Sequence, residues 1–426
     1  MKQSIQYTFL TLSFVTVFSC STIESKNQVW YKGNLHTHSF WSDGDDFPEM
    51  IINWYKNHDY QFIAISDHNT IAKEEKWYKL SKKDLDNEVL NKYIDSFGDW
   101  VETRSDSSGT AVRLKTFDEY RGKLEDPEKF LIIRSEEVTS SYERKPIHIN
   151  VTNIQEKIDP QKGNSVVEII QKTLDLIYEQ RNKLGVPMFA HINHPNFGYG
   201  VSTDDIKNLN GERFFEVYNG HPAVNNEGNE DFDSTETMWD LINIHYYKEG
   251  KPLLLGIATD DSHHYHEFSE KMSNTGRGWV MVNSDELSSS SLIDAMEKGK
   301  FYASTGVYLK NINRTEKELV VEVEAKGDVN YQILFLGYKK ESDAVVELKR
   351  VQANKANYVF QKDDLFVRAT VISDEPLDFV TDSNQTKKAW IQPQLINNKI
   401  FTNGHNPNSL LSSINQFFAE YFSILF

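Results

Sequence analysis

The sequence predicts an α/β fold in which seven strand-like runs close into a barrel with helices between them, followed by a small antiparallel β-domain. Three observations support this. Short, near-continuous apolar runs recur between Gly33 and Ile257, as buried strands do. Helical patterns lie between them, and that alternation argues for an α/β barrel over a sandwich. Beyond Val307 the rhythm shortens into β-rich runs separated by polar turns.

The chain opens with an address rather than a fold element. Lys2 precedes an apolar segment over residues 7–18, too short to span a membrane, and Val17-Phe18-Ser19-Cys20 resembles a bacterial lipoprotein cleavage box. Residues 1–20 are therefore expected to be a lipoprotein signal peptide and 21–29 a short tether. Lipid on Cys20 would anchor the chain at the bacterial cell envelope, on the periplasmic or cell-surface face. Cys20 is the single cysteine, so a disulfide within one copy is impossible and thiolate metal ligation elsewhere is excluded.

The seven runs follow in order. They are Gly33-Asn34-Leu35-His36, Phe62-Ile63-Ala64-Ile65, Phe130-Leu131-Ile132-Ile133, Pro146-Ile147-His148-Ile149, Pro187-Met188-Phe189-Ala190, Phe214-Phe215-Glu216-Val217 and Leu253-Leu254-Leu255-Gly256-Ile257. After the first, Phe47-Pro48-Glu49 opens a helix through His58, with Met50, Ile51, Trp54 and Tyr55 at helical spacing and proline in its first turn. Residues 77–120 are polar and irregular, an insertion expected to be partly helical and to overhang the site. Residues 165–184 form an amphipathic pattern with Val166, Ile169, Ile170, Leu174 and Ile177 on one face; Ser165 with Glu168 resembles a capping box, and Gly185 stops the helix. Residues 291–298 read as another helix and 301–306 as its exit. The β-rich runs are 318–324, 331–335, 344–348, 358–360 and 366–371. The expected domains are 30–308 for the α/β part, 309–396 for a β-rich accessory part and 397–426 for a C-terminal tail.

A formal charge of -17, from 63 acidic and 46 basic residues, opposes nonspecific binding of polyanions, because phosphate backbones reward clustered lysine and arginine. No basic stripe with interleaved aromatics is present, so nucleic acid is not an expected partner.

Chemical residues stand where the apolar runs end. His36 and His38 close the first, Asp67 and His68 the second, and Glu136 and Glu137 the third. His148 lies on the fourth, His191 and His194 follow the fifth, and Asp260, Asp261, His263 and His264 follow the last. Histidines and carboxylates so arranged, six and three of them counting Asp43 and one member of each adjacent or competing set, point to a polynuclear metal site at one rim of the barrel. Imidazole and carboxylate without thiolate suit manganese, zinc or iron. On a strand, His36 and His38 would emerge on one face and grip one ion. Glu136 and Glu137 would point to opposite faces, so one of them enters the site; Asp260 and Asp261 pose the same choice, and His191 competes with His194. Phe40 and Trp41 are candidates for a pocket wall, and Arg134, Arg144, Lys145 and Arg277 for phosphate contact.

Leu35-His36-Thr37-His38-Ser39 with Ser42-Asp43-Gly44, then Ser66-Asp67-His68, Glu137-Val138, His148, His194-Pro195 and Asp261-Ser262-His263 resemble the polymerase-and-histidinol-phosphatase (PHP) domain of metal-dependent phosphoesterases. Gly278-Trp279-Val280 and residues 299–306 are similar to its CehA/McbA-like branch, whose members tend to carry a β-domain downstream. The likeness covers residues 29–310 closely and the rest more loosely. It implies a distorted seven-stranded (β/α) barrel and two or three divalent ions. The first would be bound by His36, His38, Glu137 and Asp261. Glu137 would bridge to a second on His148 and His194, and a third would sit on Asp43, His68 and His263. Family spacing selects Glu137 over Glu136, Asp261 over Asp260 and His194 over His191.

The resemblance implies a hydroxide bridging two metals that attacks a phosphate mono- or diester in line, outside the cytoplasm. His264 is then the expected proton donor, Arg277 the phosphate-binding cation and Asp260 a supporting residue of the catalytic set. Two other classes fit the same residues: a hydrolase of a carbamate, other ester or amide, and a surface protein that holds metals for stability. A cationic pocket near the third metal would favour phosphate, whereas an apolar one lined by Phe40, Trp41 or Tyr199 would favour a neutral ester. Complete ligand sets argue against the binding protein. The expected partners are a small-molecule ester and, through Cys20, the membrane.

Overall fold

The computed structural model describes residues 29–107, 109–378 and 385–396. β1 (Val29–Asn34) leads into α1 (Pro48–Lys56) and β2 (Phe62–Ile65). A side layer follows, made of β3 (Lys76–Lys79), α2 (Lys82–Asp86), α3 (Val89–Phe97), β4 (Thr103–Asp106), β5 (Gly109–Leu114) and α4 (Phe117–Leu124). The chain continues through β6 (Leu131–Tyr142), β7 (Lys145–Thr152), α5 (Val166–Leu184), β8 (Phe189–Ile192), α6 (Thr203–Lys207), β9 (Phe214–Asn219), α7 (Thr235–Glu249) and β10 (Leu255–Thr259). β11 (Trp279–Ser284), α8 (Ser289–Glu297) and β12 (Phe301–Ser304) come next. The last strands are β13 (Leu309–Arg314), β14 (Glu318–Val323), β15 (Tyr331–Lys339), β16 (Val345–Gln352), β17 (Lys355–Val359), β18 (Asp364–Pro376) and β19 (Thr386–Leu395).

Each of the seven apolar runs overlaps one of β1, β2, β6, β7, β8, β9 and β10. These strands are neighbours in the order β10-β9-β8-β7-β6-β2-β1, but they do not form a closed seven-stranded barrel. The far edge of β1 is taken by β11, antiparallel from Val29 opposite Ser284 to Gly33 opposite Val280. Pairing then continues through β12, β19, β18, β15 and β16, making one thirteen-stranded sheet. The free edge of β10 meets a side chain instead: Gln392 on β19 accepts from Gly256 N at 2.8 Å and donates to Gly256 O at 2.7 Å. Past the strand ends, Thr37 and Ser262 form a parallel bridge that draws the exits of β1 and β10 together.

The strands are also not all parallel. β7 runs antiparallel to both β6 and β8. The cause is local: Glu143 and Arg144 join β6 to β7 with φ of 49° and 68°, a two-residue hairpin too short for a crossover.

The β-rich part is antiparallel, but it is not a separate sheet. β15, β16, β18 and β19 extend the main sheet, with Tyr302 on β12 opposite Ile391 on β19, while β13, β14 and β17 form a sheet of three. Residues 77–120 form the β3-β5-β4 sheet with helices, as an insertion. It backs the first loop and contributes none of the side chains lining the metal pocket described below. Tyr78 stacks on Phe40 at 4.0 Å and Tyr93 on Phe47 at 4.1 Å. Phe40 and Trp41 are therefore core residues, 1% and 5% exposed, and not the pocket wall expected of them.

α5 shows how the sequence builds the layer behind the sheet. Ser165 Oγ accepts from Glu168 N at 3.1 Å, while the Glu168 carboxylate caps Asn164 N at 2.7 Å. Ile169, Ile170, Leu174 and Ile177 are buried against the sheet, each stabilising by about 1.5–3 kcal/mol. Gly185 ends the helix in the left-handed region at φ 65°.

Candidate metal centre

β1 stops at Asn34, so His36 and His38 lie in the loop beyond it rather than on the strand. The loop stays extended because neighbouring exits hold it on both sides. Ser66 N donates to Thr37 O at 2.8 Å, His38 N to Ser262 O at 2.9 Å and Asp261 N to His36 O at 3.1 Å. Alternation is preserved, and the two Nε2 atoms face each other at 3.1 Å.

Their tautomers follow from what holds the other ring nitrogen. His36 Nδ1–H donates to Glu216 Oε1 at 2.7 Å. Ser42 Oγ spends its proton on Asp67 at 2.6 Å and so accepts from His38 Nδ1–H at 3.3 Å. With each Nδ1 engaged, the two Nε2 atoms face each other as the positions a bound cation would share, or, without one, a proton held by the surrounding carboxylates.

Glu137 lies at the centre of the cluster. It and Glu136 sit next to each other on β6 and point to opposite faces: Glu136 accepts from Ile158 N at 2.9 Å on the far side. The Glu137 oxygens lie 2.9 Å from His68 Nδ1, 3.0 Å from His148 Nδ1, 3.2 Å from His38 Nε2, and 3.4 Å from His36 and His194 Nε2. Asn193 Nδ2 steadies the carboxylate at 2.7 Å. Burial alone would raise its pKa, but the surrounding imidazoles of His68, His36 and His148 hold it well below the carboxylate range. Asp261 is held low in the same way by His36, His38 and His263. Burial opposes protonation of His36, yet Asp261, Glu137 and Glu216 raise it well above the usual value.

A third corner is formed by Asp43 at the pocket mouth. His263 Nδ1–H donates to Asp261 O at 2.9 Å, leaving Nε2 free 3.4 Å from Asp43 Oδ1; His68 Nε2 is 3.5 Å from Asp43 Oδ2. The turn that presents Asp43 needs Gly44, since a Cβ there would sit 2.4 Å from His38 O.

The donor atoms fall into overlapping groups: His36, His38 and Asp261; His36, Glu137 and His194; His68, Glu137 and His148; and His38, Asp43, His68 and His263. Ligand atoms bound at about 2.1 Å with tetrahedral or octahedral angles lie about 3.0–3.4 Å apart. The observed separations fit that spacing, and Glu137 Oε2 and His148 Nδ1 are buried without a hydrogen-bond partner among the described residues. The residues present suit several contiguous divalent ions. His194 and Asp261 also carry positive φ, 22° and 50°, backbone strain of the kind that functional sites retain.

All nine residues expected as ligands border one pocket of about 290 Å³ or lie beneath it. Seven line it, together with Phe197, His221 and His264, while His36 and His38 form its buried floor. His191 does not line the pocket; it is buried with Nε2 3.6 Å from Glu216 and forms a further potential donor group with His36 and Glu216.

Two catalytic expectations need correction. Asp260 points away from the pocket and accepts from the backbone N–H groups of Gly276, Arg277 and Gly278 and from Tyr55 OH at 2.7 Å. Arg277 donates to Gly220 O, Ser269 O and Asn274 Oδ1, so it braces loops and does not reach the pocket. Arg134 is bound to Asp118, and among the described residues no lysine or arginine lines the metal pocket. Tyr199 lies elsewhere, stacked on Phe232 at 3.8 Å.

Sequence reasoning missed His221, which stands just past β9 where the strand-end rule would have found it. Its Nδ1 accepts from Ala223 N at 3.1 Å, so Nε2 carries the ring's proton. Burial drives its pKa down to about 4. His264 is similar: Nδ1 accepts from Ser273 N at 3.2 Å, and burial lowers its pKa. Glu216 has the largest supporting role, binding His36, Thr259, Asn219 and His194 N within 2.8 Å.

No protein-family model and no curated protein matches the chain. Among solved structures, a two-domain protein from Bacteroides vulgatus, described as containing a predicted PHP-like metal-dependent phosphoesterase, is similar at 14% identity and a TM-score of 0.37, over 86% of this chain and 96% of that one. Another, from Bifidobacterium adolescentis and provisionally assigned as a metal-dependent phosphoesterase, is similar at 12% identity and a TM-score of 0.27, over 55% of this chain and 88% of that one.

Proposed function

We propose that the chain is a metal-dependent phosphoesterase of the PHP type, acting on a small phosphate mono- or diester. The observation that supports it is the Glu137 carboxylate set among five imidazole nitrogens within 3.4 Å. His36, His38, Glu137, Asp261, His148, His194, Asp43, His68 and His263 would hold two or three ions of manganese, zinc or iron. Divalent cations bound there would supply Lewis acidity toward the ester oxygens and lower the pKa of water at the site.

The chain's own residues prepare that chemistry. Glu216 keeps His36 Nδ1 protonated and Nε2 bare, and the Asp261 carbonyl does the same for His263. His221 and His264 border the pocket as neutral rings whose Nδ1 atoms accept backbone N–H groups. Each therefore offers Nε2–H to an ester or leaving oxygen. Being neutral, His264 stabilises that oxygen by hydrogen bonding, and the leaving alkoxide takes its proton from water.

Attack at the carbon of a carbamate or carboxylic ester is the second reading. It is favoured by the lining itself, which among the described residues has Phe197 and no lysine or arginine. The two are separated by metal analysis of the protein from Ser21 onward, combined with turnover of a phosphomonoester, a phosphodiester and a carboxylic ester. His36→Ala and Glu137→Ala should each lower bound metal and abolish hydrolysis, whereas the surface variant His58→Ala should do neither. Equal hydrolysis by wild type and both ligand variants would refute the metal mechanism.

This reading extends to an enzyme carried on the cell envelope by lipid on Cys20, with 309–396 as an accessory part. Cys20 and the tail 397–426 lie outside the described residues. Release of a Cys20→Ser variant from membranes is the expected result. Among the described residues, no helix is long and apolar enough to cross a membrane.

A further inference from the structure

A second depression, of about 560 Å³, adjoins the metal pocket. His148 lines both, so the two meet at this residue. Thr139, which also lines the second depression, bonds His68 Nδ1 at 2.5 Å. The β6–β7 hairpin forms one side, with Arg144 at its left-handed turn, and the 160–162 segment forms the other. Ser140 Oγ ties the two sides together by donating to Gln161 O at 3.1 Å.

Its charge is opposite to that of the chain. In a protein of net charge -17, no aspartate or glutamate among the described residues lines this depression, whereas Arg144 and Lys162 do. Neither cation has an ion pair or side-chain hydrogen bond among the described residues. Asp159, close by in sequence, is engaged by Lys157 Nζ at 3.0 Å. Among the described residues, the metal pocket of about 290 Å³ supplies no lysine or arginine of its own.

We propose that this depression receives a second anionic group of the substrate, carboxylate or phosphate, with Arg144 and Lys162 as its counter-charges. The substrate class is then a phosphate ester with two separated anionic ends. This deepens the phosphoesterase reading and rests on it for the identity of the first end. A guanidinium fork and a neighbouring ammonium suit either anion, and the long side chains let the second end sit at more than one distance.

The test uses non-hydrolysable phosphonates, so that binding is read without turnover. Butylphosphonate, 4-phosphonobutyrate and 1,4-butanebisphosphonate are titrated calorimetrically into the metal-loaded protein and its Arg144→Ala/Lys162→Ala and Lys145→Ala variants. All three substitutions are at exposed positions. Wild type and Lys145→Ala should bind at least one of the two-ended compounds at least tenfold more tightly than butylphosphonate, and the double variant should bring that ratio close to one. Whichever of the carboxylate and the bisphosphonate gains more identifies the second anion. No preference in wild type, the same preference in the double variant, or an equal loss in Lys145→Ala would each overturn the subsite. Absence of phosphoester turnover with the binding preference intact would count against the reaction and not against the subsite.

Discussion

Glu216 shows how one residue decides what its neighbours can do. With Nδ1–H of His36 fixed on its carboxylate, the bare Nε2 points at His38; without it, the ring can present the wrong nitrogen. Glu216→Ala should weaken metal binding by about 10–100-fold, as read by competition with a chelator. Protons compete for the same nitrogens. In the metal-free protein Glu137 and Asp261 are ionised, His36 is held protonated, and Glu137 and Asp43 push His68 up to about 11 against its burial. Each ion taken up must displace such protons, so affinity should rise with pH and fall with acid. Titrations in buffers of different ionisation heat should show net proton release near pH 7; zero release would contradict the ligand assignment. At this scale the choice of Asp261 over Asp260 and of Glu137 over Glu136 agrees with which side chains face the cluster, whereas Asp260 holds the 276–278 backbone and has no place in the catalytic set. Strand geometry guarantees that one of two neighbours faces away, yet which one depends on what lies behind it: the 276–278 backbone for Asp260, Ile158 N for Glu136.

Loops, more than strands, assemble the centre. The exits of β1, β2 and β10 are laced by backbone bonds through Thr37, Ser66 and Ser262, and the turn at Gly44 folds Asp43 back over them. Gly44→Ala must move either the turn or the His38 carbonyl. It should destabilise the protein by about 1–3 kcal/mol in denaturant unfolding and lower the number of ions bound before it affects those at His36. The apolar runs marked the strands well because burial on both faces leaves a continuous apolar signature. They could not reveal direction: the hairpin at Glu143 and Arg144 reverses β7, and two left-handed residues in sequence look like any polar turn. The insertion was visible only as a break in rhythm, since its side chains pack on Phe40 and Phe47, far away along the chain.

For the whole molecule, the main sheet joins the α/β part to the β-rich part. β12 pairs with β19, and Gln392 covers the backbone of Gly256 on the outer edge of β10. A protein ending after residue 308 would expose both edges and the apolar face beneath β19. Such a truncation should aggregate or elute as oligomers in size-exclusion chromatography, and a monomeric, cooperatively folding product would contradict this account.

Sequence alone determined that histidines and carboxylates recur where the apolar runs end, because burial and backbone period leave their mark on local order. It also determined that thiolate plays no part away from Cys20. Only the tertiary structure decided that those residues share one pocket, that Arg277 braces loops, that His221 belongs at the rim, and that the sheet runs on through thirteen strands. Those outcomes depend on contacts between segments far apart in the chain, and nothing in the local spacing of residues encodes which distant partner will satisfy a given edge or side chain.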